Sequence, residues 1–230
     1  MTLHCLKPCP PERILVCIDA VEDKPIRSLN HHVKQLSTFD TVKNCAELFI
    51  TTKSLMNPEH QFAVCQFKAQ LILITGFHSR VGDHLKVIHG AIPNQATDNP
   101  YPYRLSALLK TIHEKAVKEE DNERPLHVVI FYGRSGSCIL DENVLSPYKN
   151  VVIDILYLHK PLLSAKEKKR IIANLVELKK CLSEKSVCSV ALNDNLLAYK
   201  YTMNFLMHPN QRVPILKEED LSQVYQSDSD

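Results

Sequence analysis

The stretch that decides the fold is Ile14-Leu-Val-Cys-Ile18, followed at once by Asp19-Ala-Val-Glu-Asp23. The apolar run is short, rich in β-formers and continuous rather than alternating, as expected of a strand buried on both faces in a parallel sheet. It is therefore read as the central strand. In open α/β sheets the ligand crevice lies at the carboxyl ends of the strands, which makes the residues after Ile18 the first place to search for chemistry.

Working outward, Val42, Cys45, Ala46 and Phe49 recur at helical spacing, with Leu48 widening the apolar face and Asp40 in position to cap. A helix is expected from about Thr41 to Lys53. Phe62 to Phe67 and Leu71 to Ile74 are separated only by Lys68-Ala69-Gln70, a gap suited to an antiparallel hairpin. Between Thr75 and Pro102 the pattern is weak; Leu85 and Ile88 hint at a short helix before an exposed, irregular connection, Pro93 to Pro100. Leu105, Leu108, Leu109, Ile112 and Ala116 give a second amphipathic helix, and His127–Tyr132 and Val151–Leu158 two more buried strands. The segment from Gly133 to Asn150 has room for a short helix only. Ile171, Leu175, Leu178 and Leu182 mark a third helix and Val187–Leu192 a last strand. Leu196, Tyr199, Met203 and Leu206 mark a final helix ending before Pro209.

Strands alternating with helices, plus one hairpin, call for an α/β doubly wound, mainly parallel sheet with one antiparallel edge strand. The expected organisation is an N-terminal arm over 1–10, one domain over 11–208, and a C-terminal segment over 209–230 whose last part, Lys217 to Asp230, is acidic and mobile.

Composition narrows the function. The 230 residues, 44% hydrophobic and 23% charged, are enough for a sizeable core. Lys plus Arg number 28 against 26 Asp plus Glu, so no broad field recruits nucleic acid or an acidic membrane. No apolar run approaches a membrane span and Met1 to Pro11 has no leader-like core, so a soluble intracellular protein is expected. Five glycines and no Gly-rich phosphate loop argue against nucleotide chemistry. Of eight cysteines, Cys17, Cys45, Cys65, Cys181 and Cys188 lie in apolar patterns and are read as reduced core residues.

The remaining candidates are weak. His4, Cys5 and Cys9 lack the paired spacing of a structural zinc site. His31 and His32, adjacent in a polar stretch, face different directions and read as solvated. Ser135 and Cys138, in Tyr132-Gly-Arg-Ser-Gly-Ser-Cys138, lack a nucleophile elbow and a recognisable His/Asp partner, and read as loop. Lys166 to Arg170 reads as the solvated face of the third helix.

Asp19 after the first strand, with a hairpin as the next two strands, resembles a von Willebrand A domain. In that family a metal-ion-dependent adhesion site uses an Asp-x-Ser-x-Ser loop, a Thr from a second loop and an Asp after the fourth strand. Asp19 matches the first carboxylate, but Val21 and Asp23 occupy the serine positions, Tyr101-Pro-Tyr-Arg104 offers no threonine, and Gly133 stands where the last Asp belongs. A hard cation needs an octahedral oxygen set, which Asp19 and Asp23 alone do not complete. No metal and no cofactor are expected, and Asp19 then reads as a cap on the loop that follows.

Read together, Pro11-Glu-Arg-Ile-Leu-Val-Cys-Ile-Asp19, Glu47-Leu-Phe-Ile-Thr-Thr-Lys53, His60-Gln-Phe-Ala-Val64 and Leu206-Met-His-Pro-Asn-Gln-Arg-Val-Pro214 resemble the BABAM family. These are the von Willebrand A-like scaffold subunits of the BRISC and BRCA A deubiquitinase complexes. The resemblance implies a non-catalytic protein that binds a BRE-type ubiquitin-E2-variant subunit and, through it, a JAMM metalloprotease and an Abraxas-type scaffold. It implies roles in removing extended, non-degradative lysine-linked ubiquitin chains, in DNA-damage signalling in the nucleus and in mitotic and cytokine-receptor functions in the cytoplasm. Because the chain begins close to the first strand, the long acidic N-terminal extension of vertebrate members, with tankyrase binding, is expected to be missing. A partner-docking segment is read in His208, Pro209, Asn210, Gln211, Arg212, Val213 and Pro214, where two prolines hold an extended backbone and Arg212 and Val213 project from it. The competing readings are a strap packed on its own domain, a metal-dependent A domain capturing an acidic ligand through Mg²⁺, and a hydrolase using the Ser135 loop.

Overall fold

The computed structural model describes residues 10–20, 36–67, 71–93, 103–104, 126–133, 138–139, 151–159, 186–192 and 195–208, together with Lys169, Ile172, Ala173, Leu175, Val176 and Leu182. In chain order the elements are β1 (Arg13–Asp19), α1 (Thr38–Met56), β2 (Gln61–Phe67), β3 (Leu71–Leu73), α2 (Val81–Gly90), β4 (Tyr103–Arg104), β5 (Leu126–Tyr132), β6 (Cys138–Ile139), β7 (Val151–His159), β8 (Cys188–Leu192) and α3 (Asn195–Asn204).

All seven residues of β1 are buried. Their alternation sends Leu15 and Cys17 into one apolar cluster and Ile14, Val16 and Ile18 into another on the opposite face. β5 divides the same way, with Val128, Ile130 and Tyr132 on the first face and Val129 and Phe131 on the second. A continuous apolar run is thus the signature of a strand covered twice. The six-stranded sheet has the order β3-β2-β1-β5-β7-β8. All its pairings are parallel except β2 with β3, where Cys65 faces Leu73 and Gln66 faces Ile72. The doubly wound sheet, the central β1 and the antiparallel edge hairpin agree with the sequence.

α1 covers the second face with Val42, Cys45, Ala46, Phe49 and Ile50, and Phe39 is buried as well. Burying each large apolar side chain contributes about 1.5–3 kcal/mol, so this stripe is a main source of domain stability. The helix starts earlier than expected, and its N-cap is Ser37, not Asp40. Ser37 Oγ accepts from the Asp40 N–H at 3.0 Å and donates to Asp40 Oδ2 at 2.8 Å. Asp40 therefore sits at the third helical position of a capping box, where its charge also favours the helix dipole.

Two further expectations need correction, and one holds. The final helix buries Ala198, Tyr201 and Thr202, with Phe205 and Leu206 beyond it, whereas Leu196 is 77% and Met203 45% exposed. Of the expected stripe, Leu206 is buried and Tyr199 packs against the core, while Leu196 and Met203 turn outward and Ala198, Tyr201 and Thr202 face the core in their place. The short helix marked by Leu85 and Ile88 is present as α2, with His84 and Ile88 buried and Phe62 bridged to His78 ahead of it; residues 94–100 of the connection that follows lie outside the described residues. In the segment after Gly133 a strand, β6, pairs in parallel with β4, Tyr103 opposite Cys138, where only a short helix was allowed for. Of the third helix, residues 172, 173, 175 and 176 are helical and Leu175 is fully buried; Ile171, Leu178 and the 105–116 helix lie outside the described residues.

Candidate functional site

β1 leads to β2 on one side while β5 lies on its other side, so the topological switch point falls between β1 and β5. Asp19 ends β1 there, 1% exposed, and its Oδ2 accepts the Gly133 N–H at 3.2 Å, at the end of β5. The start of α1 closes in from above: a Cβ on Gly133 would stand 3.2 Å from Thr38 Cγ2. Thr41 Oγ1, which meets Ser37 O at 3.1 Å, also donates to Asn195 Oδ1 at 2.8 Å, tying α1 to the start of α3. The Asp19 carboxylate thus joins two strand ends, a stapling role wider than the loop cap expected of it.

That geometry does not fit the metal which the fold family implies. Gly133 brings an N–H donor, not a carboxylate, to the position after β5, and the donor occupies an Asp19 oxygen. Val21 carries no oxygen ligand by its chemistry. Val21, Asp23, His31 and His32 lie outside the described residues, as do His4, Cys5, Cys9 and Ser135. Among the described residues no group of three His, Cys, Asp or Glu side chains is placed to hold a metal ion.

The densest chemistry lies toward the amino ends of the strands, and the sequence reading missed it. Glu12, just before β1, places Oε1 2.6 Å from Lys53 Nζ of α1, both side chains fully buried. Its Oε2 is 3.1 Å from His127 Nδ1, and His127 Nε2 is 2.7 Å from Asp154 Oδ2 on β7. Asp154 Oδ1 accepts the Val187 N–H at 2.8 Å, and Lys53 Nζ donates to Leu206 O at 2.7 Å. Because both nitrogens of His127 face carboxylates, both donate, and the ring is an imidazolium. Two anions then balance two cations in the core, the condition under which burial of charge is tolerated.

Ionisation follows the geometry. Burial opposes charge on Glu12, but its bond to and the charge of His127, then Lys53, hold it down to about 2. Burial likewise opposes protonation of His127, and Asp154 followed by Glu12 overcomes this, raising it above the usual imidazole range. His60 is different: its Nδ1 accepts the Glu12 N–H at 2.9 Å, which fixes the neutral ring, and its buried Nε2, 3.9 Å from Glu12 Oε1, makes no hydrogen bond among the described residues. Burial pushes His60 down to about 4, with Glu12 opposing in part. A histidine held between two carboxylates has the form of a base with its orienting group. Both its nitrogens are committed to donation, so it has no lone pair for a proton or a metal. The network is structural.

A signal for it was present: His127 and Asp154 interrupt strands that are otherwise apolar, and a charged residue in a doubly buried strand must be paired. A smaller polar cluster lies under the hairpin. Thr75 Oγ1 accepts the Val64 N–H at 2.9 Å and meets His84 Nδ1 at 2.9 Å, while His84 Nε2 meets His78 O at 3.1 Å.

Other expected residues resolve as follows. Cys17, Cys45 and Cys65 are buried free thiols as expected, with Cys65 Sγ 2.9 Å from Cys17 Sγ across β1 and β2; Cys188 is only partly buried. Burial pushes the Cys17 thiol well up, so it has little thiolate character. Cys181 lies outside the described residues, and so does Lys166 to Arg170 apart from Lys169, which is helical and exposed. Of the docking segment, His208 is 1% exposed; Pro209, Asn210, Gln211, Arg212, Val213 and Pro214 lie outside the described residues. Among the described residues no helix is long and apolar enough to cross a membrane.

No family model matches the chain and no curated protein matches it. Solved structures do. The von Willebrand A domain of SpRpn10 is 13% identical with a TM-score of 0.57, over 89% of this chain and 99% of that one. An aerotolerance-related membrane protein from Bacteroides fragilis is 8% identical with a TM-score of 0.58, over 87% and 100%. Proximal thread matrix protein 1 from the mussel byssus, in a structure with a zinc-occupied adhesion motif, is 14% identical with a TM-score of 0.50, over 85% of this chain and 45% of that one. Sheet order, edge hairpin and these likenesses together show that the chain has a von Willebrand A-like fold.

Proposed function

We propose that the chain is a non-catalytic scaffold subunit that binds a BRE-type ubiquitin-E2-variant subunit and stabilises a deubiquitinase assembly. The assembly would be of the BRISC or BRCA A type, acting on extended, non-degradative lysine-linked ubiquitin chains in cytoplasm and nucleus. The observation that carries this reading is the closure of Asp19 onto the Gly133 N–H at the switch point, where the fold would otherwise hold its metal. A domain without that ligand corner is left with its surface and termini as means of recognition. The four segments behind the family resemblance add support, because each reaches the same buried network, through Glu12, Lys53, His60 and Leu206. Catalysis would belong to a JAMM metalloprotease subunit reached through the partner and an Abraxas-type scaffold.

The test is recovery of the tagged chain from cells in mild salt. A stoichiometric BRE-like subunit, with linkage-selective cleavage of ubiquitin chains that the isolated chain lacks, is the expected result. Arg212→Glu with Pro214→Ala should abolish that partner while the domain stays folded; retained binding would remove the docking role of His208 to Pro214. The second reading, a metal-dependent A domain, is kept alive by the zinc-occupied motif of the mussel protein. Calorimetric titration with Mg²⁺ decides it: no heat of binding is expected, and a saturable isotherm lost in Asp19→Ala would reverse the order of the two.

A further inference from the structure

We infer that Lys53 is a positioning residue for partner binding, a buried cation that fixes where the C-terminal docking segment leaves the domain. The inference rests on the docking reading above. α3 ends at Asn204, and the chain turns through Phe205 N–H to Thr202 O at 3.1 Å and Leu206 N–H to Met203 O at 3.2 Å. Carbonyls past a helix end have no intrahelical donor, and here the Leu206 carbonyl receives the Lys53 ammonium at 2.7 Å. A charge-assisted bond in a dry site is stronger than a neutral one. The same ammonium is held by Glu12 at 2.6 Å, Glu12 by His127, His127 by Asp154, and Asp154 by the Val187 N–H. The end of α3 is thereby referenced to β1, β5 and β7 at once.

Phe205, Leu206 and His208 are buried around this anchor, so the segment from Pro209 onward starts from a fixed point. A docking peptide whose origin is already ordered loses less entropy on binding than one on a loose tether. Lys53 touches no partner in this scheme, and its effect on affinity is exerted through the Leu206 carbonyl.

Binding of the purified full chain to the purified ubiquitin-E2-variant subunit tests this, with Arg212→Glu, Lys53→Met, and insertion of Gly-Gly between His208 and Pro209. The insertion leaves the anchor and core untouched, so it decides the matter even where Lys53→Met fails to fold. Expected are loss of binding in Arg212→Glu and about tenfold weaker binding in both other variants. In Lys53→Met, hydrogen exchange should rise across Phe205 to His208 while that of β1 and β5 stays slow. Loss in Arg212→Glu with unchanged affinity after the insertion would overturn the positioning role and leave docking standing. Unchanged binding in Arg212→Glu would overturn the docking reading and the positioning role with it.

Discussion

Glu12→Ala should cost the domain about 3–5 kcal/mol, most of the stability of an ordinary domain. The carboxylate meets Lys53 at 2.6 Å and His127 at 3.1 Å, and all three side chains are essentially excluded from water. Removing it leaves two buried cations facing each other across the cavity, with Asp154 to balance only one. The loss is the desolvation of an unpaired charge and not the net worth of the ion pair, which measured against a well-packed apolar core is small or negative. Urea unfolding of the variant at neutral pH measures it. A midpoint close to that of the unaltered chain would mean that water reaches the cluster and that the balance of two anions and two cations is not what holds it. A second variant sharpens the result: Glu12→Gln keeps an acceptor for His127 and should lose less than Glu12→Ala.

The parts of the fold legible in the sequence are those set by apolar period and turn length. Ile14 to Ile18 announced a doubly covered strand because nothing polar interrupts it, and Lys68-Ala69-Gln70 announced a hairpin because no crossover fits in that gap. The face of α3 was only half legible, with Tyr199 and Leu206 packed against the core as expected and Leu196 and Met203 not. Leu196 and Met203 are larger and more apolar than Ala198 and Thr202, yet the close approach of α1, with Thr41 bonded to Asn195 and Asn44 to Tyr199, suits the small residues. Thr202 meets its own need by donating to Ala198 O at 2.8 Å, so burial costs it little. At the switch point the sequence showed which oxygen ligands are missing, but not what replaces them; a glycine N–H is invisible in a search for side-chain chemistry. The buried network was illegible as a whole because its members are spread from residue 12 to residue 206 and only the sheet order assembles them.

Acid should unfold the protein through His60 first and Glu12 second. His60 titrates near 4 in the fold against an ordinary 6.5, so the unfolded chain takes up the proton first as pH falls. Its contribution is fully present above pH 6.5 and is lost between 6.5 and 4, about 3 kcal/mol in all. Glu12, at about 2 against an ordinary 4.5, contributes stability above pH 4.5 that is lost as pH falls toward 2, again about 3 kcal/mol. His84, lowered chiefly by burial, adds to the loss below 6.5. His127 opposes them: raised by Asp154 and Glu12, it stabilises fully below 6.5, and that contribution fades as pH rises through its folded value. Stability should therefore fall as pH drops below 6.5, and His127 adds a separate loss as pH rises through its own raised value. Lys53, the other charge facing the cluster, is present in every variant and does not alter the comparison. His60→Asn isolates the first stage, because the amide oxygen can still accept the Glu12 N–H but does not titrate. Its unfolding free energy, followed from pH 6.5 to 4.5, should fall less steeply than that of the unaltered chain by about 1.4 kcal/mol per pH unit, the slope of one proton. Parallel profiles would mean that His60 is protonated in the fold and that its Nδ1 donates instead of accepting, which the 2.9 Å approach of the Glu12 N–H does not allow.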